Sequence, residues 1–459
     1  MKLRIVTLAA LAAIAGQAQA LTIADIAVKK ALPASNPDKL VEVYFSGASA
    51  LSAVIGGLFT QNCVAGTLDT YVSDFTDAGF AGDTANGQSV KAYSCKLVGT
   101  ANDFGTAFNN KYVVFQKSDQ GGSGNGVFPV AYNQSLPYLN LTAANCVTTV
   151  CKSNGFTAKP DGGVSDVAPT AFNPDQNRPL APVDFSDTGL FPNVSNSNFN
   201  RVDGVVNTVF GLAVSNPLYL ALQADQGLAA GVRPTVPKAV IASMLSSTFD
   251  PSISWKALLP NSAAVNTQQI NICRRVNGSG TQTSANAFFL EYPRNLLSLS
   301  PATNAANSEF GNDLANVGSA GTIMVYEGSS TGNVKSCLDK ANDTSAFAIG
   351  HVSLENAETA KWKFAAMDGA VPSRDNAKKG HYHYAFESTM QINNAAGATQ
   401  KSSNLNSLAA AAQNGVMALP TATDCAAAAF GSYTVGSTAE KFCSRVSRPS
   451  VDDVLVIVR

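Results

Sequence analysis

The chain has 459 residues, of which 45% are hydrophobic, 8% aromatic and 14% charged. That apolar share supports a sizeable core and excludes general disorder, and the length suggests roughly three domains of about 150 residues, or two large ones. Thirty-one Lys and Arg against thirty-two Asp and Glu leave a formal net charge of −1. A balance so close to neutral excludes a global attraction to nucleic acid or to an anionic membrane.

Residues 1–20 have the anatomy of a secretory signal. Lys2 and Arg4 form a charged start, Ile5 to Ala15 an apolar middle, and Ala18-Gln19-Ala20 a small-x-small cleavage site. The apolar run is shorter than the ~20 residues of a membrane span, and no later stretch qualifies. A periplasmic or extracellular destination is therefore expected. The low charge fits this, since a disulfide-stapled exported chain needs few surface ion pairs. All eight cysteines lie after the predicted cut, where four disulfides are expected. Cys146 with Cys151 and Cys425 with Cys443 are the local pairs. Cys63 with Cys95 and Cys273 with Cys337 then remain, although eight cysteines admit other connectivities.

Short β-rich runs alternate with segments of helical spacing, the pattern of an α/β protein. Val41 to Phe45 reads as a strand and Ala50 to Phe59 as a helix. Tyr112 to Gln116 is a strand ending at the glycine-rich Gln120 to Gly126. Val205 to Ser215 is an apolar strand, Lys238 to Leu245 a helix, and Ile270 to Arg274 a strand. Thr322 to Tyr326 and Ala346 to Val352 are further strands. The polar stretches 66–110 and 133–200 read as surface elaborations, and Thr399 to Thr438 as a helix-and-loop tail.

Three segments share one form: a strand, a turn of Gly with Ser or Thr, then a helix. They are Phe45-Ser46-Gly47-Ala48-Ser49-Ala50, Gly122-Ser123-Gly124-Asn125-Gly126, and Arg274-Arg275-Val276-Asn277-Gly278-Ser279-Gly280-Thr281. A helix start exposes unpaired N–H groups backed by the positive end of the helix dipole. Glycine lets an anion approach them, and hydroxyls add donors. Together with Arg275 they outline an oxyanion site built mostly from neutral donors. Gly163-Val164-Ser165-Asp166-Val167-Ala168-Pro169 adds an acid. A carboxylate beside an anion accepts a hydrogen bond from a protonated oxyanion and repels one without a proton.

In this order the segments resemble the phosphate-binding proteins of phosphate ABC transporters, which are type II periplasmic binding proteins. Arg274 to Thr281 is similar to that family's RRADGSGT segment, Val164 to Pro169 to its GASDAP, and Gly122 to Val127 to its GSSGGV. Weaker likenesses are Val209 to Pro217, Lys238 to Pro260 with Trp255, Ala348 to Val352, and Ala365 to Ser373. The resemblance implies a two-lobed α/β fold, each lobe a mixed sheet flanked by helices, here with disulfide-stapled insertions. Its boundaries would be residues 21–215 plus 353–459 for one lobe and 216–352 for the other. It further implies phosphate held by Ser49, Ser123 and Asp166 from one lobe and by Arg275, Ser279, Gly280 and Thr281 from the other. Domain closure would serve uptake through an ABC permease, with no cofactor, metal or catalytic residue. The first loop departs from the family's GAGATF, and Asn277 stands where an acid usually lies beside the arginine.

Two other readings are compatible with the sequence. A secreted structural or adhesive protein on the same fold would use the polar insertions outside the cell. A serine hydrolase would use Ser330 of Gly328-Ser329-Ser330-Thr331-Gly332, followed by Asp368 and then His381 or His383. His381-Tyr382-His383 reads as an alternating strand with both imidazoles on one side, too few ligands for a metal.

Overall fold

The computed structural model describes residues 20–394 except 81–82, 84–87, 101–102, 180, 182–188, 247–254, 263–269, 292–322 and 329, together with 430–434, 441–447 and 457–458. Residues 1–19 of the expected signal, and Cys425 of the expected Cys425–Cys443 pair, lie outside the described residues.

The chain opens with α1 (Ile23–Ala31), fixed by a capping box in which Thr22 accepts from the Asp25 N–H and Asp25 accepts from Thr22. Strand β1 (Val41–Gly47) leads through a 3-10 turn at Ser49–Leu51 into α2 (Ser52–Thr60). Strands β2 (Asp69–Ser73), β3 (Val90–Lys96) and β4 (Tyr112–Ser118) precede α3 (Gly122–Tyr132). The hairpin β5 (Cys146–Val147) and β6 (Val150–Cys151) is followed by β7 (Gly162–Ser165) and the long β8 (Phe199–Ser215). Then come α4 (Asn216–Asp225), α5 (Lys238–Leu245), β9 (Ile270–Arg275) and α6 (Gly280–Leu290). After these come β10 (Ile323–Gly328), α7 (Thr331–Asp343), β11 (Ala348–Ser353), β12 (Trp362–Phe364) and β13 (Ala385–Asn393).

Among the described residues, thirteen strands form one mixed sheet. Its order is β10-β9-β11-β8-β13-β7-β1-β4-β3-β2-β6-β5, with β12 paired to β8. Strand β1 lies between two parallel neighbours, β4 and β7, and such a strand is buried on both faces. Val43 and Phe45 accordingly join Phe59, Phe104 and Phe115 on one side, while Tyr44 packs with Tyr71 and Tyr138 on the other. Strand β8 joins the two halves of the sheet. Phe199 to Val209 pairs antiparallel with β13, and Phe210 to Val214 pairs antiparallel with β11. The sequence places only Val205 to Ser215 in this strand; the polar Phe199-Asn200-Arg201-Val202-Asp203-Gly204 extends it because β13 supplies a partner.

The α/β class, the mixed sheet flanked by helices and three of the expected staples are present. Cys63 bonds Cys95, Cys146 bonds Cys151, and Cys273 bonds Cys337. The expectation that 66–110 is a surface elaboration is corrected. Its β2 and β3 are sheet members, and Tyr71, Phe80, Val90, Phe104 and Phe108 are buried. Within 133–200, β7 lies between β1 and β13. In the tail read as helix and loop, Phe430–Thr434 is a strand. His381 and His383 are exposed as expected, but they precede the strand that begins at Ala385.

Candidate oxyanion site

The strand–turn–helix segments place their residues as follows. Ser49 is the half-buried first residue of the turn into α2. Ser123 lies in the first turn of α3 and is fully buried, so Gly122 to Gly126 are helical and not a loop. Asp166 immediately follows β7 and Arg275 ends β9; each is 3% exposed. Ser279 caps α6 by accepting from the Gln282 N–H at 3.4 Å, and Gly280 and Thr281 open that helix.

Two of the helix starts meet. The Gly124 N–H in α3 donates to the Gly278 carbonyl just before α6 at 2.6 Å. The Ser123 hydroxyl donates to Asp166 Oδ2 at 3.2 Å and accepts from the Asp166 N–H at 3.1 Å. Gly280 approaches so closely that a methyl group there would lie 2.7 Å from Asp166 Cβ and inside contact distance of Ser123 Oγ. A methyl on Gly122 would lie 3.1 Å from Arg275 Nη2. Ser123, Asp166, Arg275, Ser279 and Gly280 are thus gathered at one place, with Thr281 in the same helical turn. Ser49 is attached at one remove, through the Ala48 N–H that donates to the Val164 carbonyl at 2.9 Å.

The electrostatics are those of charges deprived of water. Burial pushes the Asp166 carboxyl up to about 6; Glu355 adds to the rise, while Arg275, Ser123 and Lys117 oppose it. Burial pulls the Arg275 guanidinium down to about 10, against the favourable charges of Asp166 and Asp119. The Asp166 Oδ1 atom is buried without a hydrogen-bond partner among the described residues, a costly state that a ligand donor would relieve. Arg275 Nη1 donates to Thr331 Oγ1 at 3.1 Å, so the start of α7 also adjoins the site.

Several neighbours were not singled out from the sequence. Lys117 is buried behind the first turn. Asn177 accepts from the Gly278 N–H through its carbonyl at 2.9 Å and from Asn286 through its side chain at 2.9 Å. Thr331 and Glu355 complete the set. A lysine near the end of a largely apolar strand was the one local signal.

The hydrolase residues do not form a triad. The Ser330 hydroxyl donates to Asn333 Oδ1 at 2.8 Å and accepts from the Asn333 N–H at 3.2 Å, capping α7. Asp368 Oδ1 accepts from the Lys238 N–H at 3.0 Å.

No protein-family model and no curated protein matches the chain. Solved structures similar to it include an ABC-type phosphate transport receptor from Vibrio cholerae. The two are 11% identical, covering 80% of this chain and 93% of that one, with a TM-score of 0.38. PstS from Borrelia burgdorferi is 10% identical, covering 80% and 92%, with a TM-score of 0.32. The fold resembles that of these receptors.

Proposed function

We propose that this chain is an exported solute-binding protein that captures inorganic phosphate, or a closely related protonated oxyanion, between two lobes. The observation that carries the reading is the unpartnered Asp166 Oδ1 beside the Arg275 guanidinium and the converging starts of α3 and α6. Hydrogen phosphate offers anionic oxygens to the N–H groups, hydroxyls and guanidinium, and one P–OH to the carboxylate. Sulfate at neutral pH has no proton to offer, so it leaves Asp166 facing a bare oxyanion.

In this reading residues 21–215 with 353–459 carry Ser49, Ser123 and Asp166, and residues 216–352 carry Arg275, Ser279, Gly280 and Thr281. The ligand bridges the lobes and shifts an open–closed equilibrium. The Gly124–Gly278 hydrogen bond is the kind of contact that closure makes. Binding needs no proton transfer, bond cleavage, cofactor or metal. Three disulfides suit an oxidising compartment, and an ABC permease is the proposed recipient. Among the described residues no helix is long and apolar enough to cross a membrane. Equilibrium dialysis with labelled phosphate tests the assignment: the purified mature chain retains label and Arg275→Ala does not. Equal retention by both would refute it.

A further inference from the structure

Lys117 is the penultimate residue of β4 and is 2% exposed. Its Nζ lies 3.0 Å from the Gly47 carbonyl, 3.3 Å from that of Ala48 and 3.2 Å from that of Ser118. It also reaches Asp119 Oδ1 at 2.5 Å and Ser52 Oγ at 3.4 Å. The Ser52 hydroxyl in turn donates to Asp119. Burying an ammonium is costly unless its three donors are met; here five acceptors surround it. The cluster ties the end of β1 and the first residue of α2 to the end of β4.

In a trans peptide the carbonyl and the following N–H point in opposite directions. Anchoring the Gly47 carbonyl on Lys117 therefore sends the Ala48 N–H the other way, and it donates to the Val164 carbonyl on β7. Anchoring the Ala48 carbonyl likewise turns the Ser49 N–H away from the ammonium. Gly47 itself has φ +117° and sits where a methyl would lie 2.7 Å from Gly126 Cα in α3, so this turn, α3 and the strand leading to Asp166 share one contact point. We infer that Lys117 is a positioning residue of the oxyanion site: its ammonium fixes the peptide planes of Gly47 to Ser49, the turn bonded to the strand that leads to Asp166, and adds a buried positive charge to those acting on Asp166. This inference deepens the phosphate-binding reading and rests on it. The charges acting on Asp166 are those of Glu355, Arg275 and Lys117, with Ser123 bonded to it and Tyr384 nearby. Arg275 and, more weakly, Lys117 are the two cations that oppose the rise of the Asp166 carboxyl.

Two readouts test this in the full mature chain. One is the affinity for inorganic phosphate. The other is the midpoint of the Asp166 carboxyl, followed by carbon-13 NMR without ligand. Lys117→Gln keeps a donor and removes the charge. It is expected to weaken phosphate binding about tenfold or more and to raise the Asp166 midpoint. Lys117→Arg restores both. A folded Lys117→Gln with an unmoved midpoint overturns the inference, whatever its affinity, because a merely structural brace would not alter that titration. Should Lys117→Gln fail to fold, Asp119→Asn takes a negative charge from beside the ammonium and lowers the midpoint; an unmoved midpoint there also overturns it. If the wild-type chain binds no phosphate, the functional reading fails while the titration still decides the role of Lys117.

Discussion

Ser123 and Asp166 are bonded twice: the serine hydroxyl donates to Oδ2 and accepts from the aspartate N–H, leaving Oδ1 without a partner among the described residues. The carboxylate is held in one orientation with one acceptor atom uncommitted. Asp166→Asn exchanges that acceptor-only group for one that can also donate. The phosphate-over-sulfate preference is expected to relax by roughly 10–100-fold, mainly through tighter sulfate binding. Competition titration checks it, and an unaltered preference would remove Asp166 as the selectivity element.

The same burial makes the ligand-free fold sensitive to pH. Burial raises the folded Asp166 carboxyl from its ordinary value of 3.8 to about 6. Its contribution is fully present below about pH 4 and is lost as pH rises through about 6, a loss of about 3 kcal/mol at most. His351 acts in the opposite sense: both ring nitrogens are buried without partners among the described residues, and burial lowers it to about 3. Its contribution is present above about pH 6.5 and is lost as pH falls toward 3. Chemical denaturation from pH 4 to 8 should show Asp166→Asn gaining most over wild type above pH 6. His351→Phe should gain most over wild type at the acid end. Parallel stability curves for wild type and both variants would contradict the account.

Gly280 tests the contact between the two helix starts. A methyl group at this position collides with Ser123 Oγ and Asp166, and neither is the free end of a flexible chain. Gly280→Ala is expected to cost at least about tenfold in phosphate affinity, equivalent to about 1.4 kcal/mol. Calorimetric titration reads the loss. Wild-type affinity would mean that α6 does not approach Asp166 in the bound state.

The Cys273–Cys337 bond joins β9, which ends in Arg275, to α7, whose first residue accepts from that arginine. It closes a sequence separation of 64 residues, for which chain entropy suggests about 4 kcal/mol. The Cys273→Ala/Cys337→Ala double variant should lose stability of that order in denaturant. A loss within experimental error would contradict that contribution.

Local chemistry was legible in the sequence; long-range partnership was not. Glycine with Ser or Thr after a strand announced the starts of α3 and α6, because turn and cap preferences are local. Lys238 to Leu245 was read at its observed bounds for the same reason. The polar composition of 66–110 concealed β2 and β3, whose strand character depends on neighbours such as β4 that no local pattern identifies. Lys117 and Thr331 were missed because their partners, Gly47 and Arg275, lie far away in the chain. Ser330 fitted a nucleophile motif, yet its capping box with Asn333 uses the same residue types for a structural purpose.

The central claim is capture of a protonated oxyanion by Asp166 and Arg275, and calorimetric titration of the mature wild-type chain with phosphate and sulfate at pH 8 tests it most directly. The account predicts phosphate binding at micromolar affinity, about −8 kcal/mol, with sulfate at least about 100-fold weaker. No heat with phosphate, or sulfate binding as tight as phosphate, would contradict it.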